Sequence, residues 1–465
     1  MIENLKPYPE YKDSGLPWLG EVPAHWEIRR NGGLFQQRND SGDNELPILE
    51  VSLRTGVRVR DFATSKRKQV MTDRSKYKRA GQGDLVYNMM RMWQGDAVIA
   101  PVSGLVSPAY VVCRALPGID SGYFSRLFKT DGYLVEIDSA SKGIGKDRNR
   151  LYWDQFKPIC SPLPPASEQA AIARFLAWAT NRLDRAIGAK RRIIALLQEQ
   201  KQAIIHRAVT RGLDPSVPLK DSGIPWLGEI PEHWEIVRNM ALFAHRVEQG
   251  VSGLSVLQVR LRSGISRERL DQFGRPKRFI ADTTKYKRVY RGDIAYNTMR
   301  MWQGAVGVSP IDGLVSPAYV VLDAREDTHP DFYDLVFHTD AYKRQVNRQS
   351  TGIASDRNRL YWDIFKQMEN IVMPRSEQRS ITDFVHAEIR GLVATNSRLQ
   401  GEIQLLREYR TRLIAYVVTG KLDVREVAAQ LPEEIDSSAA FEDCHGEDDA
   451  EGVAFDETET DLDEA

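Results

Sequence analysis

Arginine, glutamine and asparagine, residue types able to pair with base edges, recur in this sequence in two duplicated segments. RMWQG stands at 91–95 and returns at 300–304, and DRNRLYWD stands at 147–154 and returns at 356–363. In the major groove Arg pairs bidentately with guanine, and Gln or Asn with adenine. Arg91, Gln94, Arg148 and Asn149 supply those groups in the first copy, with Lys146 beside them. Arg300, Gln303, Arg357 and Asn358 supply them in the second. The neighbouring Gly95, Gly104, Gly143 and Gly145 allow loops tight enough to enter a groove. Trp93, Trp153 and Tyr152 either build the core beneath such loops or stack on bases.

A second kind of cation is clustered rather than spaced. Between Arg54 and Arg79 ten Lys and Arg face two acids, and between Arg260 and Arg291 eleven face three. Such runs suit phosphate neutralisation, in which each contact releases counterions and adds sequence-independent affinity. The expected contacts are Arg54, Lys66, Arg67, Lys68, Lys76 and Lys78 in the first run. In the second they are Arg262, Lys277, Arg278, Lys285 and Lys287. Tyr77 and Tyr286 lie inside the shared KYKR segments.

Catalytic constellations are missing. The sequence holds no Gly-rich phosphate loop, no HExxH, no paired CxxC and no Asn/Asp-Pro-Pro-aromatic motif of the kind an adenine methyltransferase needs. The fragment Glu199-Gln200-Lys201 lies within a long helical stretch, and its counterpart reads Glu408-Tyr409-Arg410, so it is read as a solvated helix face. His25 and His233, each before Trp in a shared HWEI segment, are read as structural. No catalytic residue and no metal site is expected on this chain.

The elements that position these groups are themselves duplicated. DSGLPWLGEVPAHWEI (13–28) returns as DSGIPWLGEIPEHWEI (221–236), and GLVSPAYVV (104–112) returns at 313–321. The offset is 208 at the first pair and 209 at the later ones, so the halves differ by one net inserted residue. A period this long describes two copies of a whole domain with its connector. Short β-type runs such as LPILEVSL (46–53) and LSVLQVRL (254–261), with helical segments near 121–137 and 331–346, predict an α+β domain at 1–165 and another at 214–374.

Each domain is followed by a long helix, expected within 166–213 and 375–424. From Glu168 to Val209 there is no Pro and one Gly, with Ser167 and Ser376 as expected N-caps. Heptad spacing runs through Val385, Leu392, Leu399, Leu406 and Leu413, and through Leu176, Leu183, Lys190, Leu197 and Ile204 in the first copy. Polar residues break the lines, among them Lys190, Lys201, Asn396 and Arg410. A 42-residue helix is a rod of roughly 60 Å, longer than a small domain is wide. Two rods with apolar seams most economically bury them on each other, as an antiparallel coiled coil seamed by Leu176, Leu183, Leu197, Ile204, Leu392, Leu399, Leu406 and Leu413.

Charge divides the chain unevenly. Formal net charge is zero, yet 16 of the 64 acidic residues follow Arg425, where there is no Lys or Arg. The remaining 48 acids face all 64 basic residues, so a basic body precedes an acidic tail, 425–465, expected to be disordered. Three cysteines give neither a disulfide framework nor metal spacing. With no apolar run long enough for a membrane and no apolar signal core at the N-terminus, a cytoplasmic location is expected.

The duplicated SGIPWLGEIPEHWE segment, the NxMRMWQG…GLVSPAYVV stretch and the PxSEQ that introduces each long helix (PLPPASEQ in the first copy) together resemble the specificity (S) subunits, or HsdS family, of Type I restriction-modification systems. The resemblance covers about residues 6–424. It implies two target recognition domains, each reading half of an asymmetric, bipartite double-stranded DNA site. The two helices would set the spacing between half-sites. Partners would be two modification (methyltransferase) subunits, bringing S-adenosylmethionine, and restriction (motor-nuclease) subunits, bringing ATP and Mg. The acidic tail is outside the family pattern. A stand-alone two-headed DNA-binding regulator is the alternative, distinguished by the absence of a methyltransferase partner.

Overall fold

A computed structural model describes residues 5–42, 45–52, 56–60, 74–143, 149–261, 264–267, 283–352 and 358–432. It separates into two compact units, residues 1–190 with 401–465 and residues 191–400. One head belongs to each. The strands of the two heads correspond one for one.

In the first unit a four-stranded antiparallel sheet has the order Phe35–Arg38, Tyr110–Ala115, Leu85–Asn88, Ala97–Ile99. Its two inner strands are almost wholly apolar because both faces are covered. Antiparallel pairs surround it: Tyr11–Asp13 with Glu21–Pro23, Glu27–Arg30 with Cys160–Leu163, Leu49–Ser52 with Gly56–Val59, and Lys78–Ala80 with Gly104–Val106. The helices Ser121–Leu127 and Asp131–Ala140 pack Tyr123, Phe124, Tyr133 and Ile137 onto the sheet with Trp26 and Phe35. The second unit repeats the sheet as Phe243–Arg246, Tyr319–Ala324, Ile294–Asn297, Val306–Val308, with the helices Pro330–Phe337 and Asp340–Gln349.

The long helices run Ala166–Arg211 and Arg375–Val418. Ser167 and Ser376 therefore lie inside the first turn and are not N-caps. The reason is the preceding proline: the Pro165 carbonyl accepts from the N–H groups of Glu168 and Gln169, and Pro374 from those of Glu377 and Gln378. Each unit holds an antiparallel pair of helical stretches. In the first, Ile172, Phe175, Leu176 and Ala179 share a core with Leu413, Val417 and Val418. In the second, Ile205, Ala208 and Val209 share one with Ile381 and Val385. Of the expected seam, Leu176, Leu183, Leu399 and Leu413 are buried, while Leu197, Ile204, Leu392 and Leu406 are half-buried.

The C-terminal boundary differs from expectation. Arg425–Ala429 forms a short helix, and Val424, Ala428 and Leu431 are buried in the core of the first unit. Their spacing of four and three residues gives the segment an apolar face, which acidic composition hides in a sequence window. The rest of the expected tail, residues 433–465, lies outside the described residues. Among the described residues no helix is long and apolar enough to cross a membrane, and no cluster of His, Cys, Asp or Glu could hold a metal ion.

Candidate nucleic-acid interface

The two RMWQG segments form one structure built twice. Asn88 and Asn297 end sheet strands, and their side-chain Oδ1 atoms accept from the N–H groups of Met90 and Met299, 3.0 Å in both. A short 3-10 turn follows at Met92–Gln94 and at Met301–Gln303. Met92 and Met301 point into the cores and are fully buried. The Trp93 and Trp302 indoles lie partly buried against those cores, and each donates to a methionine carbonyl, Met90 or Met299, at 3.0 Å. Gly95 (φ 81°) and Gly304 (φ 93°) close the turns in a left-handed conformation that side chains with a Cβ resist. Pinned from below, the loops leave Arg91, Gln94, Arg300 and Gln303 exposed.

DRNRLYWD lies beside RMWQG in each head. The Leu151 N–H donates to the Met89 carbonyl and the Leu360 N–H to that of Thr298, 2.9 Å in both. Asn149 and Asn358 are half-exposed, and their amides donate to Asp138 at 3.0 Å and to Asn347 at 2.8 Å. Trp153 is partly buried against the core, whereas Tyr152 is 42% exposed. The expected contacts Lys146, Arg148 and Arg357 lie outside the described residues.

The basic runs divide. Lys76 and Lys285 are exposed in short turns, and Tyr77 and Tyr286 beside them are buried. Lys78 and Lys287 are half-buried instead, their ammonium groups donating to the Tyr110 and Tyr319 carbonyls at 2.6 Å. Burial lowers the pKa of both. They tie strands together through those carbonyls, whereas Lys76 and Lys285 beside them are exposed. Arg54, Lys66, Arg67, Lys68, Arg262, Lys277 and Arg278 lie outside the described residues.

Sequence reasoning missed what HWEI and PxSEQ do together. Glu168 accepts from Trp26 Nε1 at 2.9 Å, bonds His25 Nε2 at 2.8 Å and accepts from the Tyr8 hydroxyl. Glu377 repeats this with Trp234 at 3.0 Å and His233 at 2.9 Å. The adjacent glutamines, Gln169 and Gln378, accept from the Asp120 and His329 N–H groups at 2.8 Å. Each helix N-terminus is thereby fastened to its own head. Asn31 and Asn239 likewise tie each head together from inside, donating to the hydroxyls of Tyr133 and Tyr342 on the helices Asp131–Ala140 and Asp340–Gln349. Recurrence of these residues in both copies was the available signal.

No protein-family model matches the sequence, and no curated protein matches it. Solved structures do. A chain from a study of complex assembly and conformational transition of the type I R-M system aligns with a TM-score of 0.60 at 14% identity, covering 86% of this chain and 99% of that one. The HsdS subunit from Thermoanaerobacter tengcongensis aligns at 0.45 and 15% identity, covering 86% and 98%. The type I restriction-modification S subunit from M. genitalium aligns at 0.35 and 12%, covering 84% and 96%. The fold of this chain is similar to that of a chain of a type I R-M system.

Proposed function

We propose that the chain is the non-catalytic, DNA-reading specificity subunit of a type I restriction-modification complex. Residues 1–165 and 214–374 act as target recognition domains, each reading half of a bipartite, asymmetric site. The helical segments 166–213 and 375–424 act as the spacer and as the scaffold for two modification subunits and for restriction subunits. S-adenosylmethionine, ATP and Mg belong to those partners. One observation carries this reading: two separately cored heads present Arg and Gln from RMWQG loops of matching backbone conformation. Exposed, backbone-pinned Arg and Gln are the groups that base-edge recognition requires. The exposed Arg, Gln and Lys of each head combine base-type donors with phosphate-type cations.

The two heads carry the same loops on diverged flanks, 36–75 and 244–284, so their half-sites are related and not identical. Co-expression with a modification subunit from the same genome tests the function. Mapping of N6-methyladenine should reveal a two-part motif only when both chains are present. Turnover of S-adenosylmethionine by this chain alone, or a motif unchanged by its deletion, would overturn the reading.

A further inference from the structure

We propose that Met90 and Met299 are specificity-determining residues that read a thymine by its C5-methyl group, one in each half-site, beside the arginine of the same loop. The inference rests on the DNA-reading function proposed above and names a base feature which that function recognises.

Two methionines of one loop have opposite fates. In each head the sequence runs Met-Arg-Met-Trp-Gln-Gly, at 90–95 and at 299–304. Met92 and Met301 are fully buried and belong to the cores. Met90 and Met299 are each 42% exposed and join none of the hydrophobic clusters formed by the described residues. Filling the core therefore does not account for the outer pair. The residue before each of them does face inward. Met89 packs on the core of the first head, and Thr298 is buried in the second, its hydroxyl donating to the Ala318 carbonyl at 2.9 Å. The inward position thus differs between the heads, while the exposed one holds the same apolar residue.

The backbone fixes the exposed pair at both ends. The N–H groups of Met90 and Met299 donate to Asn88 and Asn297, and their carbonyls accept from the Trp93 and Trp302 indoles, all at 3.0 Å. The arginines that follow match as well: Arg91 has φ −127° and ψ 9°, and Arg300 has φ −133° and ψ 12°. Each head thus presents the same exposed thioether on the same backbone, next to an exposed arginine and an exposed glutamine.

The chemistry of the neighbours selects what that side chain meets. Arg and Gln suit the guanine and adenine edges. A thioether donates no hydrogen bond and is at best a weak acceptor, so it adds nothing to those pairings and nothing to a phosphate contact. In the major groove the apolar feature of a base pair is the thymine C5-methyl. An unbranched, polarisable side chain adapts to such a group, and a pinned backbone confines the entropy lost on contact to the side chain.

The two-part motif mapped by methylation with the co-expressed modification subunit supplies the site. Binding of that complex is then measured on duplexes in which deoxyuridine replaces thymidine one position at a time, which removes only the C5-methyl. One position in each half-site should weaken about fourfold, the worth of one buried methyl group. Met90→Ala should erase that difference in one half-site and leave it in the other, and Met299→Ala should do the reverse. Met90→Leu, which keeps an apolar side chain of similar volume, should retain the difference within about twofold. Thermal melting of all three should match that of the unmodified protein, since the side chains lie outside the cores. Tolerance of deoxyuridine throughout a half-site, or a half-site without thymine, would overturn the inference while leaving the DNA-reading function intact. So would alanine variants that bind more weakly yet keep the deoxyuridine penalty. Failure of the complex to yield any motif would overturn the function itself and this inference with it.

Discussion

Glu168 is 3% exposed and yet is surrounded by donors: the Trp26 indole, the His25 imidazole and the Tyr8 hydroxyl. A buried acceptor matters mostly through what its loss leaves unpaired. Glu168→Ala strands the Trp26 and Tyr8 donors inside the core, at a cost of about 2–4 kcal/mol. Glu377 does the same work under easier terms. Its side chain is 29% exposed, so water can replace it, and the position equivalent to Tyr8 is Ser216, which hydrogen-bonds Asp214 instead. Glu377→Ala should therefore cost about 1–2 kcal/mol. Denaturant unfolding followed by tryptophan fluorescence distinguishes them, and equal costs would show that the third donor contributes nothing.

At the scale of elements, the long helices show why the heptad lines are interrupted. Lys190 pairs with Glu402 and Arg410 with Asp184, each at 2.5 Å, within the first unit. These contacts fix an antiparallel register, since the partners of 184 and 190 descend from 410 to 402. The residues 209 positions away are Ile193, Val393, Leu399 and Lys201, so the second unit has no equivalent pairs. Side chains about one-third exposed gain little from an ion pair. A double-mutant cycle on Asp184→Ala and Arg410→Ala should give a coupling of about 0.5–1 kcal/mol, falling as salt is raised. A coupling near zero at low salt would leave register to the apolar seam alone.

At the scale of the whole molecule, the C-terminal stretch supplies both core residues and acidic charge. Val424, Ala428 and Leu431 belong to the core of the first unit, and Arg425 sits over the Tyr8 ring at 5.1 Å. Deletion of 433–465 removes 15 acidic residues and no Lys or Arg, whereas deletion from 426 onward also strips Ala428 and Leu431 from that core. The shorter deletion should leave the melting temperature unchanged, and the longer one should lower stability by about 2–3 kcal/mol, the burial worth of roughly one leucine side chain and an alanine methyl. If the acidic residues shield the basic heads, the shorter deletion should also raise affinity for random duplex DNA, most at low salt. Affinity unchanged across a salt series would remove the shielding role.

Local order in the chain determined much of this architecture. Two copies of a domain, a long helix after each, and exposed Arg and Gln in RMWQG were legible because repeats, proline-free heptads and glycine-bounded turns are written in consecutive residues. Partnerships between distant residues were not legible. Sequence spacing gives no sign that Glu168 meets Trp26, that Lys78 turns inward to the Tyr110 carbonyl, or that the polar breaks Lys190 and Arg410 meet acids on the other long helix. The charge on a side chain is fixed by its type, but its task depends on burial and on which groups the fold brings within reach, and these only tertiary structure decides.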